Sequence, residues 1–319
     1  KLRAGQWYAL AAPNLKGLPK AKAEQRVTES GWTNDADLAL LMPLNRREAV
    51  IQKMIGVGKG LLGERFAIVQ TLTFADLVPL TEALKPRRLR PTRVRPYPTP
   101  EGLKVAAIWL YSVNAGELFD GTTEEVEKHY ADIHANDFTA VDLAGYLDAN
   151  KQVRHILASA KVKWEEGTNI DITLHHLMDG TPYRQPAEKS CALQTRQQYL
   201  DANGKLYSDV IWRHPKRTYW AIRGDRVLFE KNALKIAEEK KQKIIDASIV
   251  AVGKANIYSV LYQGLDGFTV TLIHGQTLDD NLIEWQKLAE AKAQPNGVGV
   301  SVTSDGVYHS VSVWHSPSK

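Results

Sequence analysis

Short runs of alternating apolar and polar residues recur along the chain, and several of them close on the same phrase. EGLKVAAIWL (101–110) and NGKLYSDVIW (203–212) each contain a turn glycine, an alternating apolar run and a tryptophan. This pattern predicts a half-buried strand leaving a tight turn. Related phrases end at Trp109, Trp164, Trp212, Tyr262 and Trp314, with intervals of 55, 48, 50 and 52 residues. A period near fifty, held over five units, signals an array of supersecondary units.

The segments before each phrase repeat as well. An extended run precedes each turn: 90–97, 139–146, 192–199, 246–252 and 297–303. Run, turn and run together predict a hairpin. Helical periodicity precedes four of the five hairpins, over Phe74–Leu84, Thr122–Asn136, Arg226–Ile245 and Thr277–Ala293. TTEEVEKHYADI opens on a threonine cap with a glutamate three residues on. Along the Arg226–Ile245 segment, Leu228, Ala233, Ile236 and Ile244 share one side. A short strand precedes each helix slot: FAIVQTLT, GELF, NIDITL, YWAIR and FTVTLI. Each unit therefore reads β-α-β-β. The third departs, because Gly180, Pro182 and Pro186 interrupt its helix slot and a regular helix cannot run through them.

The predicted fold class is α+β, a tandem array of about five β-α-β-β repeats with a helical N-terminal cap. The units span about 64–110, 111–165, 166–214, 215–263 and 264–319. Residues 1–63 fall outside the repeat and form a helical cap or linker region, with helical fragments at Leu18–Ser30, Asp35–Leu41 and Arg46–Ile55. GVGKGLLG (56–63) reads as a flexible link to the first unit. A single unit is too small to bury its own helix, so stability is shared between neighbours. The five terminal aromatics are expected to pack between units. The local pattern leaves open whether the array closes into a ring.

RPTRVRPYPTPEGLKVAAIW, FTAVDLAGYLDANKQVRHILASAKVKW and YLDANGKLYSDVIW carry a family likeness. They resemble the tandem-repeat modules of planctomycete proteins, which often follow serine/threonine kinase or formylglycine-type domains. They are also similar to the non-catalytic part of fungal polyglycine hydrolases, beside a β-lactamase-like domain. The likeness covers roughly 64–319. It implies an accessory or sensing module, often extracytoplasmic (periplasmic or secreted), and it implies no catalytic residue here. The family pattern includes an Arg-Pro pair at Arg90-Pro91.

Composition adds bounds rather than a function. The chain has 319 residues, 44% hydrophobic and 24% charged, enough for a large core. Cys191 is the only cysteine, so no intrachain disulfide forms. No apolar run approaches the roughly 20 residues that span a bilayer. A net charge of +5 permits an anionic partner without requiring one.

The candidate chemistry is sparse. Gly58, Gly60 and Gly63 match a dinucleotide-binding spacing, but a helical pattern precedes them and a strand follows, the reverse of what that motif needs. His129 and His134 are five apart, about 140° around a helix, which suits no shared metal. His175 and His176 point to opposite faces of a strand. There is no GxSxG, and the SxxK spacing occurs only at the chain end, Ser316 to Lys319. No catalytic residue, metal or cofactor is assigned.

Two basic segments suggest ligands. Lys85–Arg95 carries six cations and no acid, and 212–220 interleaves cations with aromatics. Arg88, Arg90, Arg93, Arg95, Arg213 and Trp220 are the candidate ligand-binding residues. The competing reading gives Arg93 and Arg95 a solvated sheet face or a structural pairing with carboxylates. The sequence thus points first to a non-catalytic module for protein or ligand interaction, with an unknown protein or a glycan as partner rather than nucleic acid. Two alternatives stay open. One is a hydrolase with a site near the third unit, at His175, His176, Ser190 and Cys191. The other is polyanion or glycan binding through the 85–95 patch.

Overall fold

The computed structural model describes residues 17–29, 44–134, 136–161, 169–178, 192–214, 219–225, 235, 239, 242–264 and 267–317. They form a mixed α+β structure of five small antiparallel sheets. The first unit contains β1 (Leu61–Leu62), β2 (Phe66–Thr73), β3 (Leu89–Thr99) and β4 (Gly102–Tyr111), in the order β1-β2-β4-β3. The second contains β5 (Gly116–Gly121), β6 (Phe138–Leu147) and β7 (Val153–Lys161). The third contains β8 (Asn169–Leu177), β9 (Ala192–Leu200) and β10 (Leu206–His214). The fourth contains β11 (Tyr219–Asp225), β12 (Lys243–Val252) and β13 (Ala255–Gln263), and the fifth β14 (Phe268–Gln276), β15 (Gln294–Val302) and β16 (Tyr308–Pro317). In every unit the last strand lies between the strand before it and an earlier one, β2, β5, β8, β11 or β14. Those two outer strands are therefore parallel, and a parallel pair needs a crossover connection.

The repeated phrase is the central strand of each sheet. The turn that feeds it needs a left-handed residue. Gly102, Gly204, Gly253 and Gly306 supply it with φ of 117°, 75°, 62° and 83°. In the second unit Lys151 takes the place of Gly204 and is held at φ 61°. LDANK and LDANG therefore fold alike, and the glycine lowers the backbone cost of the turn.

The α-helices whose bounds fall among the described residues are α1 (Leu18–Glu29), α2 (Leu44–Val57), α3 (Leu77–Leu84), α4 (Thr123–His134) and α5 (Leu278–Glu290). The capping box at α4 is formed: Glu125 N–H donates to Thr122 Oγ1 (3.3 Å), and Thr122 N–H donates to Glu125 Oε2 (2.8 Å). Thr277 caps α5 in the same way through Asp280 N–H (3.2 Å). Among the described residues, no helix is long and apolar enough to cross a membrane.

The next-to-last strand of each unit packs side by side with its counterparts in the order β3, β6, β9, β12, β15. β15 also packs on β3, so the array closes into a ring. Each of these inner strands carries a one-residue bulge at the same place: Thr92, Val141, Gln194, Ile245 and Asn296. A bulge strengthens twist and resets which side chains face inward. Five copies at one level give five inner strands the same bend toward one axis.

Apolar seams join each neighbouring pair. Trp109 and Leu84 share a cluster with Tyr146 and Ile156 of the second unit. Leu143 and Leu157 meet Ile170 and Ile211. Trp212 meets Ile245 and Leu261. Tyr258 and Val260 meet Val311 and Val313. Ile68 and Ile108 meet Trp285 and Trp314, which closes the ring. At this last seam Phe66 stands edge-on to Trp314, with ring centroids 5.6 Å apart at 89°. Gln70, fully buried, donates through Nε2 to Leu278 O (2.9 Å) and accepts at Oε1 from Asn281 Nδ2 (2.8 Å). Both contacts tie the first unit to the fifth.

Two expectations are corrected here. GVGKG is not a flexible link: Gly58 O accepts from Gln70 and Thr71 N–H, and a Cβ on Gly60 would stand 2.2 Å from Ile68 O. The glycines let the chain lie directly on β2. The predicted helix over 226–245 does not reach Ile244 and Ile245, which belong to β12, where their burial at the ring seams outweighs helical periodicity. α2 packs on the first unit, where Ile51 and Ile55 join its apolar cluster. The segment 35–41, Trp164, the helix slot of the third unit and most of 226–241 lie outside the described residues.

Candidate functional site

The bulge sets Arg93, Asp142, Thr195, Asp246 and Gly297 at equivalent positions on the five inner strands. Arg95 lies two residues beyond Arg93. Its Nη1 donates to the Asp142 carboxylate, and its Nη2 donates to Asp246 Oδ2 (2.9 Å). Arg93 Nε reaches Asp246 Oδ1 at 3.3 Å. Asp142 also accepts from Val94 N–H (2.7 Å) and Thr195 Oγ1 (3.0 Å). Asp246 also accepts from Ala247 N–H (2.9 Å). Arg95, Asp142 and Asp246 are each 1% exposed. Burial pulls the Arg95 guanidinium down, but Asp142 and Asp246 outweigh it and hold it above its ordinary value. Two guanidinium groups and two carboxylates cancel, so the knot binds units one, two, three and four with no net charge. The fifth unit contributes Gly297, where a Cβ would stand 3.1 Å from Asp246 Oδ1.

Beyond the knot, the ends of all five inner strands surround a cavity of about 290 Å³. Tyr97, Tyr146 and Tyr199 occupy equivalent positions in the first three units, and Val250 and Ser301 take that place in the others. Each tyrosine is anchored to an outer strand of its own unit, β2, β5 or β8. Tyr97 donates to Gln70 O (2.8 Å), Tyr146 to Asp120 Oδ1 (2.8 Å), and the Tyr199 hydroxyl meets His175 Nδ1 (2.8 Å). Burial raises all three phenols, which stay neutral at pH 7. The Tyr199 ring lies over Gly145, where a Cβ would approach it to 2.2 Å. Gln197 and Gln198 complete the wall, 4% and 1% exposed. Gln197 Oε1 and both amide atoms of Gln198 have no hydrogen-bond partner.

Behind Tyr199 runs a polar relay. Asp209 Oδ2 meets His155 Nδ1 at 2.6 Å, and His155 Nε2 meets Thr123 Oγ1 at 3.0 Å. Asp209 Oδ1 accepts from His175 N–H (2.9 Å). His175 sits at a bulge of β8 with φ 51°, where the fifth unit has Gly275 at φ 70°. Its ring stacks on Tyr207 at 3.8 Å. Burial lowers its imidazole, which is neutral at pH 7. Hydroxyl, imidazole and carboxylate have the connectivity of a nucleophile relay. However, His155 is 0% exposed and Thr123 does not line the axial cavity. The relay braces the second unit against the third.

The sequence candidates part company in the structure. Arg93 and Arg95 turn inward to the knot: of the two structural readings, the pairing with carboxylates is the one found, and ring closure converts the solvated face into the axis. Arg88 and Arg90 line a second cavity between the first two units. Arg213 lies on β10 opposite Ala192 and Ile170 and lines neither cavity. Trp220 lies on β11, opposite Tyr262, and its side chain lies outside the described residues. So do Ser190, Cys191 and the last two residues of the SxxK spacing. Of the hydrolase candidates, His175 bonds Tyr199 of the axial wall without lining the cavity itself, while His176 pairs in register with Ser208. Among the described residues, no group of three His, Cys, Asp or Glu could hold a metal. Periodicity gave no notice of Tyr97, Tyr146, Tyr199, Gln197 and Gln198. Aligning the five inner strands would have set the tyrosines in register.

The chain matches no family model, and no curated protein matches it in sequence.

Proposed function

We propose that the protein is a non-catalytic interaction module whose ligand enters the axial cavity. The observation that carries this reading is the pair of buried amides, Gln197 and Gln198, set into the wall without partners. A buried polar group left unsatisfied costs about 1–3 kcal/mol, and a ligand that pairs with it recovers that cost. An amide both donates and accepts, so the complementary ligand does too. The wall carries no lysine or arginine, and the knot beneath it is neutral. Tyrosine, proline and aliphatic surfaces fill most of the rest, with Ser301 and one acid, Asp201, whose carboxylate accepts from the Asn203 and Lys205 N–H groups of its own turn. These features fit a neutral peptide segment or a neutral sugar unit rather than nucleic acid. The likeness to accessory repeat modules supports the same reading, along with an extracytoplasmic setting.

Calorimetric titration with capped dipeptides and neutral oligosaccharides tests it. Gln198→Leu is expected to weaken binding by about tenfold or more, the equivalent of one lost buried hydrogen bond. Gly145→Ala is expected to block it by displacing Tyr199. Binding unchanged by both substitutions would refute the assignment. A hydrolase reading has the relay distances in its favour, with Thr123 as nucleophile. Thr123→Val would then abolish turnover of an activated ester; under the binding reading it leaves titration of the cavity unchanged.

A further inference from the structure

The second cavity, about 450 Å³, lies at the seam of the first two units and is lined by Lys85, Arg88, Arg90, Ser112, Asn114 and Glu117, among others. Arg90 is its distinctive member. The guanidinium is held by its stem, because a Cβ on Gly116 would stand 2.9 Å from Arg90 Cβ and 3.4 Å from its Cδ. Nε and Nη1 are buried and have no partner. Burial alone moves this group, pulling it below its ordinary value, with no carboxylate opposing the effect. That contrasts with Arg95, where two aspartates overturn the same penalty.

The one acid in the lining, Glu117, is engaged elsewhere. It accepts from Ser159 Oγ (3.3 Å) and lies 3.7 Å from His129 Nε2. Lys85, itself exposed, has a half-buried partner, Glu82, at 2.5 Å. Arg88 is exposed on a left-handed turn at φ 58°. Three cations against one acid leave the lining positive. A desolvated charge is normally paired, and an orphaned buried group calls for an explanation. The planar fork of arginine matches two oxygens of a carboxylate, phosphate or sulfate.

From this arrangement we infer that the seam cavity is an oxyanion site, with Arg90 as the anchoring group and Arg88 and Lys85 at its rim. It is separate from the axial cavity: no residue lines both. It also narrows the basic segment of the sequence, since only its first half is available to an anion.

Thermal melts in phosphate, sulfate, acetate and chloride at matched ionic strength test the inference. Phosphate or sulfate is expected to raise the melting temperature saturably, and acetate to do so only if a planar carboxylate suffices. Arg90→Met keeps the stem and removes the fork. It is expected to weaken the anion response by about tenfold or more, as the loss of a charge-assisted hydrogen bond does. In chloride the same variant is expected to melt no lower than the parent, because an unpaired buried charge has been removed. Equal anion responses in the two proteins would overturn the site. If Arg90→Met fails to fold, Lys85→Ser combined with Arg88→Ser carries the test: an anion response equal to the parent's overturns the site, and a weakened one supports it. Neither variant touches the axial cavity, so peptide or sugar binding there is unaffected by either outcome.

Discussion

Arg95→Met is the most informative substitution in the ring. Methionine fills much of the space of the arginine stem but leaves Asp142 and Asp246 facing each other across the axis. Arg95 contributes two charge-assisted contacts to carboxylates that are themselves 1% exposed. Each such bond is worth about 1.5–3 kcal/mol, and removing one partner of a buried pair typically costs about 3–5 kcal/mol. A loss of about 3–5 kcal/mol is therefore expected. An exposed ion pair would give about 0–1 kcal/mol. Urea unfolding followed by tryptophan fluorescence measures the loss, since Trp109, Trp212, Trp285 and Trp314 are all buried reporters. The cycle with Asp142→Asn isolates the pair. Once Arg95 is gone, neutralising Asp142 is expected to cost at least about 1 kcal/mol less than it does in the parent, within the range for residues in contact. A loss under about 1 kcal/mol for Arg95→Met, or additive single effects, would refute the buried knot.

Trp212→Ala removes a residue 1% exposed whose Nε1 donates to Thr173 Oγ1 at 2.9 Å, and is expected to cost about 3–5 kcal/mol by the same urea assay. Stability is also expected to fall in mild acid. Burial lowers the imidazoles of His175 and His315 below 6.5, so the unfolded chain binds protons more readily than the folded one. Their stabilisation is complete above about pH 6.5 and declines as the pH drops below it. His315→Gln, which can still donate to Ile244 O, is expected to flatten that decline; urea midpoints at two pH values on either side would show it.

Local pattern reported the hairpins of all five units and the helices of the first, second and fifth, because hairpins and capped helices are decided by neighbours in sequence. FAIVQTLT became β2 without a residue's change, and the Thr122 capping box formed as written. The axis was not legible, because it arises where strands about fifty residues apart meet. Arg93 and Arg95 alternate as a solvated face would, and nothing nearby says that Asp142 and Asp246 stand opposite. The signal was present only in register. Asp142 interrupts an otherwise apolar run, and Asp246 occupies the equivalent place two units later. The bulges hid it further, since each adds one residue and shifts the apparent alternation.

Closure of the ring is tested most directly by thermodynamic coupling between its first and last units. Phe66 and Trp314 are 248 residues apart in sequence and edge-on in space. In a double-mutant cycle of Phe66→Leu and Trp314→Phe, a closed ring predicts a coupling of about 0.5–1.5 kcal/mol, as for aromatic pairs in contact. In an open array these residues never meet, and effects that add within about 0.3 kcal/mol would contradict the closed ring and the axial cavity it creates.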